Sequence, residues 1–534
     1  MPLTRRELLE LLAASGLLAG CRPEGPLPAP EPGAEQPPPL LDAEASVDVE
    51  LFAHGVASGD PLADRVILWT RLEPGQLGEA LTGEGVEVLW VLARDAQLRD
   101  IVMQGVTETS AARDFTVKVD ATRLEPGTHY YYRFGLAGDE QPARASDIGR
   151  TRTLPGPGVE RLRLAYCSCS NYPYGYFNAY AAIACRELDC VLHLGDYIYE
   201  YADGRYGTGS ELGRELKPPG ELVSLADYRA RHAIYKRDPD AQLMHRTHPM
   251  IAVWDDHELA NNAWIGGAQN HDPSTQGSWE ARRAAAVQAY FEWMPIRGPG
   301  PNIERSFRFG ELVDLIMLDT RLVGRSAQAE PEDEPARRDS SRRPLGRAQA
   351  RWLGEQLLAS KREGLAWRLL GQQVAFSQLR FDPDRPPSTD TWDGYEAARG
   401  RVFELLEREA IDDVVVLTGD IHSSWALEVA RDPWSKDAQA REPRVVELIT
   451  PAVSSPGPVP AERAGEFAED FLARHPHLRW VELESRGYVV LDIERSRIRA
   501  QWWFMDTVRE RRADERLAKT FVIERGAARL HEGS

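Results

Sequence analysis

Four apolar runs in this chain stop at residues that carry chemistry. LRLAYCSCS (162–170) ends around Cys169, and VLHLGD (191–196) ends at Asp196. IAVWDDHE (251–258) ends at Asp255, Asp256 and His257, and VVVLTGDIH (414–422) ends at Asp420 and His422. Runs of this kind read as strands of an α/β sheet, buried on both faces. The carboxyl ends of such strands form the ligand crevice. A single Asp after a strand is more often a turn residue than a ligand, because its side chain bonds the local backbone. Packing does not explain why four strands deliver Cys, Asp, Asp-Asp-His and Asp-x-His to one edge, with Tyr199 three residues after Asp196. Together they indicate a metal site.

The donor types limit the metal. Zinc is usually given several Cys or His ligands, while calcium and magnesium take oxygen. A thiolate and a phenolate in one set favour a strongly Lewis-acidic ion such as Fe(III), with carboxylates bridging to a second, oxygen-preferring ion. Such a pair lowers the pKa of a bound water and can clamp both oxygens of a phosphoryl transfer. The formal net charge of -19 does not favour a nucleic-acid partner, which needs a basic patch. It also leaves a phosphate-handling site dependent on a few arginines or on bound cations for positive charge.

The rest of the chain organises around this set. Residues 46–155 alternate or run apolar over six or seven short segments, including DRVILWTRLE, VEVLWVLARD and HYYYRFGL. They read as a small β-sandwich of fibronectin or immunoglobulin type, and LEPGTHYYYRF (124–134) resembles a tyrosine corner. Residues 156–534 read as α/β, with helices at Trp279–Trp293 and 346–363 and antiparallel strands near the end. The 534 residues are enough for two or three domains.

The first 21 residues read as an export signal: Arg5-Arg6, an apolar stretch from Leu8 to Ala19, then Leu18-Ala19-Gly20-Cys21. The stretch is shorter than the about 20 apolar residues of a membrane span. Arg5-Arg6 resembles the twin-arginine motif and LAGC a lipoprotein box, which would make Cys21 the lipidated residue and the membrane a contact through that anchor alone. The Pro-rich residues 22–45 read as a tether. The expected location is the periplasm, the cell envelope or outside the cell. The twin-arginine route carries folded proteins, which suits a thiolate that must take a metal before export.

The sequence resembles the PhoD-like alkaline phosphatases, a family of metallophosphoesterases. The stretches that carry the resemblance are HGVASGDP (54–61), CSNYPYGYF (169–177), GDYIYE (195–200), WDDHE (254–258), MLDTR (317–321), WDGYEAAR (392–399), GDIHSSW (419–425) and TPAVSSPG (450–457). The resemblance implies a two-layer sandwich of sheets flanked by helices, preceded by the small all-β domain. It implies Fe(III) on Cys169, Asp196, Tyr199 and His422, with Asp196 bridging to calcium. Asp256, Asp420 and Asp393 stand at calcium-side positions, and Asp255 is a nearby candidate. His257 matches the histidine that faces the leaving group. Metallophosphoesterases in general supply a further strand histidine between His257 and His422. Here the strands carry none, and Cys169 and Tyr199 make up the donor count.

The expected activity is hydrolysis of phosphate monoesters or diesters by a metal-bound hydroxide, on a small phosphate-ester or phospholipid substrate, by a monomer. The alternatives are a phospholipase D-like phosphodiesterase and an inactive surface binding protein. Asn262 is a candidate for orienting water or substrate. Arg321 is a candidate phosphate contact or an internal ion pair. Glu200 and Glu258, beside the ligands, read as helix-start carboxylates or partners of arginine, and Cys167 reads as a core thiol.

Overall fold

The computed structural model describes residues 40–78, 85–136, 144–298, 302–381 and 386–533. The export signal, Cys21 and most of the Pro-rich tether lie outside the described residues. The chain divides into two compact units. The first runs to Leu154 and includes Gln242–Met250 and Glu292–Arg297; the second holds Pro155–Ala241, Ile251–Phe291 and Gly298 onward.

The first unit contains strands β1 (Val56–Gly59), β2 (Arg65–Arg71), β3 (Gly85–Ala93), β4 (Ile101–Ser110), β5 (Thr116–Thr122), β6 (His129–Leu136), β7 (Arg144–Ala145) and β8 (Gly149–Arg152). β2 pairs antiparallel with β1 and β5, and β3 pairs antiparallel with β4 and β6. Every second residue enters one buried cluster: Val66 and Leu68, Val86, Val88, Trp90 and Leu92, Val117, Val119 and Ala121, Tyr130, Tyr132 and Phe134. This is the period-2 pattern of strands with one face on a core. The Tyr130 hydroxyl accepts the Glu125 N–H at 2.9 Å, which pins the turn before β6. Of the apolar stretch 47–54, Val47 makes a single bridge to Ala145 and residues 49–54 are turns. The Asp48 carboxylate takes the N–H groups of Glu50 and Leu51 at 3.1 and 2.9 Å and bends the chain there.

The second unit contains β9 (Arg161–Cys167), β10 (Cys190–His193), β11 (Met250–Ala252, its first residue in the first unit), β12 (Arg305–Phe309), β13 (Val313–Met317), β14 (Trp367–Gln372), β15 (Val414–Thr418), β16 (Ser424–Ala430), β17 (Pro443–Ile449), β18 (Leu478–Glu482), β19 (Gly487–Glu494), β20 (Arg497–Met505), β21 (Glu515–Glu524) and β22 (His531–Glu532). They form two sheets, ordered β22-β21-β20-β19-β9-β10-β11 and β12-β13-β14-β15-β17-β16-β18. β9 and β10 are parallel, and so are β13, β14, β15 and β17.

The sheets pack face to face. The Tyr166 hydroxyl on β9 donates to Leu448 O on β17 at 3.1 Å, and the Trp502 indole on β20 donates to Ile449 O at 3.0 Å. Helices Gly346–Arg362, Glu396–Arg408 and Ala464–Arg474 cover the second sheet. Their Leu353, Leu357, Phe403, Leu406 and Phe471 share a core with Ile316, Leu370, Val414 and Val416. Among the described residues, no helix is long and apolar enough to cross a membrane.

Candidate metal centre

β9, β10, β11 and β15 end just before the chemistry-bearing residues, and the chain turns sharply there. Cys169, Asp196, Asp420 and His422 adopt φ of 63°, 56°, 63° and 57°. This is left-handed backbone, which costs an L-residue about 1–2 kcal/mol and recurs at functional sites. Two glycines allow the strand ends to meet. A Cβ on Gly195 would lie 2.4 Å from Asp255 Cβ, and one on Gly419 would lie 2.8 Å from Ser168 Oγ.

Three groups of side chains come close enough to hold a metal ion: Cys169, Asp196 and His422; Asp196, Asp256 and His257; and Asp255, Asp256 and Asp420. Asp196 belongs to the first two and Asp256 to the last two. At the first group, the Tyr199 hydroxyl lies 3.0 Å from Asp196 Oδ2 and 3.1 Å from His422 Nε2. Ser455 Oγ braces the corner, 2.7 Å from that hydroxyl and 2.9 Å from Cys169 O. His422 Nδ1 lies 2.9 Å from Pro456 O. With Nδ1 against that carbonyl, Nε2 is the ring nitrogen turned toward Tyr199 and Asp196. Burial, then the nearby Asp196 charge, pushes the Cys169 thiol and the Tyr199 phenol far up. Both therefore keep their protons until a cation displaces them.

The carboxylate group has a counter-ion of its own. Arg321, wholly buried, donates to Asp255, to Asp390 at 2.6 Å and to Asp420 at 2.7 Å, and lies 3.4 Å from Asp256. One guanidinium among four carboxylates is not enough. Burial first, then mutual repulsion, raises Asp255, Asp256 and Asp420 despite Arg321. Asp255 Oδ2 and Asp256 Oδ1 have no hydrogen-bond donor among the described residues. Both observations fit a site built for added cations. Arg321 is thus an internal ion pair.

Two residues differ from expectation. Asp393 is not brought into any of the groups. It sits in the one-turn helix Trp392–Tyr395, its Oδ2 accepts the Leu379 N–H at 2.9 Å, and its strongest cationic influence is Arg399. Asp390, three residues earlier, shares Arg321 and Arg325 instead. Asn262 engages its side-chain amide with Gln269 Oε1 at 2.7 Å, while its backbone N–H holds Asp256 Oδ2 at 2.6 Å. Its contact with the carboxylate set is made by its backbone N–H, not by its side chain. Cys167, buried, has Leu192 O as its Sγ partner at 3.9 Å and lies outside the groups.

Among the described residues, the Glu200 and Glu258 side chains hold backbone N–H groups, an amide and a histidine instead of starting a helix or pairing directly with an arginine. Glu258 takes the N–H groups of Asp196 at 2.9 Å, of Asp255 at 2.7 Å and of Tyr197, so one buried carboxylate ties two strand ends together. Glu200 Oε2 lies 2.7 Å from His257 Nδ1. Burial alone would lower His257, but Asp256, Glu200 and Asp196 outweigh it and hold the ring well above the ordinary histidine range. Burial alone would raise Asp196, but His257 and His422 hold it low. The acidic residue following each ligand stretch, in GDYIYE and WDDHE, was the available sequence signal for both glutamates.

Residues 164–502 match the family model described as PhoD-like phosphatase. The chain belongs to that family. Residues 38–155 match the model for the N-terminal domain of PhoD-like phosphatases. The chain is 36% identical over 501 residues to alkaline phosphatase D of Bacillus subtilis (strain 168), covering 90% of this chain and 82% of that protein. A solved structure of PhoD superposes with a TM-score of 0.81 at 35% identity, covering 91% of this chain and 92% of that one. A purple acid phosphatase from yellow lupin seeds shares the fold at 12% identity, with a TM-score of 0.53 over 88% of this chain and 74% of that one. This PhoD-like phosphatase is a phosphoester hydrolase with an α/β metallophosphoesterase fold, acting on a small phosphate ester. Its family brings metal dependence, and the three groups above are its candidate metal-binding residues.

Proposed function

We propose that this phosphatase is an exported Fe(III)- and calcium-dependent enzyme acting on phosphate monoesters or diesters. Cys169, Asp196, Tyr199 and His422 would hold the iron. Asp196, Asp256 and Asp420, with Asp255 beside them, would hold calcium. The observation that carries this reading is the chain of shared residues: Asp196 links the thiol–imidazole group to Asp256 and His257, and Asp256 links these to the carboxylates Asp255 and Asp420. Mixed soft and hard donors beside hard ones suit two unlike ions. Bound there, the ions supply Lewis acidity and the positive charge that a chain of net charge -19 lacks.

The protein's own groups do the rest. Asp196 would lend its carboxylate to both ions. Arg321 keeps Asp255 and Asp420 aimed together while leaving acceptor atoms over. His257 stands beside Asp196 and Asp256 and passes a proton to the leaving oxygen. Residues 46–155 form a fibronectin-like unit ahead of the catalytic residues 156–534, a reading supported by the Tyr130 hydroxyl pinning the turn at Glu125.

Elemental analysis of protein exported by its native route tests the metals; one iron with calcium is expected, and an empty site would favour a binding protein. Side-by-side rates on a monoester, a diester and a phospholipid decide the substrate class; a phospholipid preference would favour the phospholipase D-like alternative. Export by the twin-arginine route rests on Arg5-Arg6 and lipidation on LAGC. The double change Arg5→Lys and Arg6→Lys is expected to retain the protein in the cytoplasm. Cys21→Ala is expected to release it from the membrane fraction.

A further inference from the structure

His257 is held by a residue that the family resemblance does not assign. Glu200 is wholly buried and follows Tyr199 directly. Its Oε2 lies 2.7 Å from His257 Nδ1. Its Oε1 accepts the Asn261 N–H at 2.7 Å and the Asn270 side-chain amide at 2.8 Å. Its backbone carbonyl takes the Leu222 N–H at 3.0 Å. With both oxygens and the main chain engaged, the carboxylate has one orientation. The imidazole is fixed on its face as well: Tyr199 stacks on it with centroids 4.5 Å apart at 30°, and Tyr201 lies 5.1 Å away. A carboxylate on one ring nitrogen decides which nitrogen is left for chemistry.

We propose that Glu200 is the positioning residue for His257, taking the Nδ1–H so that Nε2–H faces the leaving oxygen. This rests on the reading of His257 as proton donor. As a water oxygen forms the new bond to phosphorus, the bond to the leaving oxygen breaks and its electron pair stays on that oxygen. The Nε2 proton passes to it. The proton lost by the water goes to solvent, and solvent reprotonates Nε2. Glu200 touches neither substrate nor reacting atoms. Its contribution is orientation, which matters most when the leaving oxygen is basic and needs the proton early.

The test is a leaving-group series measured on the metal-loaded enzyme, from 4-nitrophenyl phosphate through phenyl phosphate to an alkyl phosphate. His257→Asn is expected to lose activity progressively as the leaving group becomes more basic, reaching about 100-fold or more with the alkyl ester. Glu200→Gln, which keeps the shape but offers one acceptor oxygen instead of two, is expected to show the same slope at about 10- to 100-fold. The double variant should lose no more than His257→Asn alone. If His257→Asn shows the slope and Glu200→Gln loses activity uniformly or not at all, the positioning role is overturned while the His257 reading stands. If His257→Asn shows no slope, the donor reading fails and this inference falls with it. Asn270→Ala, which removes one restraint on Glu200, serves if Glu200→Gln does not fold. It should show the same slope with a smaller loss, and a uniform loss would count against the proposal. Melting temperature and metal content, followed in each variant, separate orientation from collapse of the site.

Discussion

The two halves of the site keep their charge in different ways. At the Cys169–Tyr199 half, burial and the Asp196 charge keep the protons on the thiol and the phenol. At the Asp255–Asp420 half, the donors are carboxylates, and Arg321 stands among them as a permanent cation. The first half must release protons to take an ion, and the second must share its carboxylates with one. The first should therefore load with proton release and the second mainly by adding charge to a preformed cage. Asp196, beside both, is the point at which they communicate.

Four substitutions would break or sharpen this contrast. Asp196→Asn removes the shared carboxylate. Activity is expected to fall by about 1000-fold or more, on the scale of losing a group that stabilises transition-state charge, with both metals reduced in elemental analysis. Full retention of either metal would show that the halves load independently. Arg321→Met leaves Asp255 and Asp420 without their guanidinium partner, while Asp390 keeps Arg325. The metal-free protein should lose about 3–5 kcal/mol in denaturant unfolding, and calcium should recover part of this. An equal loss with and without calcium would mean that Arg321 and the ion do not share carboxylates.

Tyr199→Phe acts on the first half alone. It should abolish the visible tyrosinate-to-iron absorption and lower activity by about tenfold, with calcium content unchanged. Persistence of the band in an iron-loaded variant would remove Tyr199 from the iron site. Asp393→Asn should have the smallest effect, with activity and calcium content near wild type. Its readout is pH. Burial pushes Asp393 up to about 7 from the usual 3.8, so the folded state binds an extra proton between those values and stability falls as pH rises through that window. The slope is at most about 1.4 kcal/mol per pH unit. The Asn variant should lose less melting temperature than wild type between pH 4 and 8, and an unchanged slope would mean that Asp393 titrates normally.

Much of this was legible in the sequence because buried parallel strands leave strong traces. LRLAYC, CVLH, MIA and VVVLT are the apolar runs of β9, β10, β11 and β15, and their ends mark the crevice. β4, Ile101–Ser110, leaves no such trace. Among the described residues it pairs with β3 alone and its side chains are mostly half-exposed, so IVMQGVTETS carries no apolar run. The sequence points to Asp393 as a ligand and passes over Asp390, because both lie close to one short helical turn, where contact with Leu379 N–H or with Arg321 depends on the facing chain. Glu200 and Glu258 were visible as residues but not as partners, since their hydrogen bonds reach 57 and 62 positions along the chain. The left-handed backbone at Cys169 has no sequence signal, because Cys is not among the residues that favour it.

That backbone has a consequence for how the molecule can change. At Cys169, Asp196, Asp420 and His422, glycine would relax a twisted main chain that the native side chain holds under tension. Selection for heat resistance alone would be drawn toward glycine at these four positions and would erase the catalyst while improving the scaffold. Robustness and activity pull in opposite directions here. A thermostable descendant that still hydrolyses phosphate esters should carry its gains elsewhere.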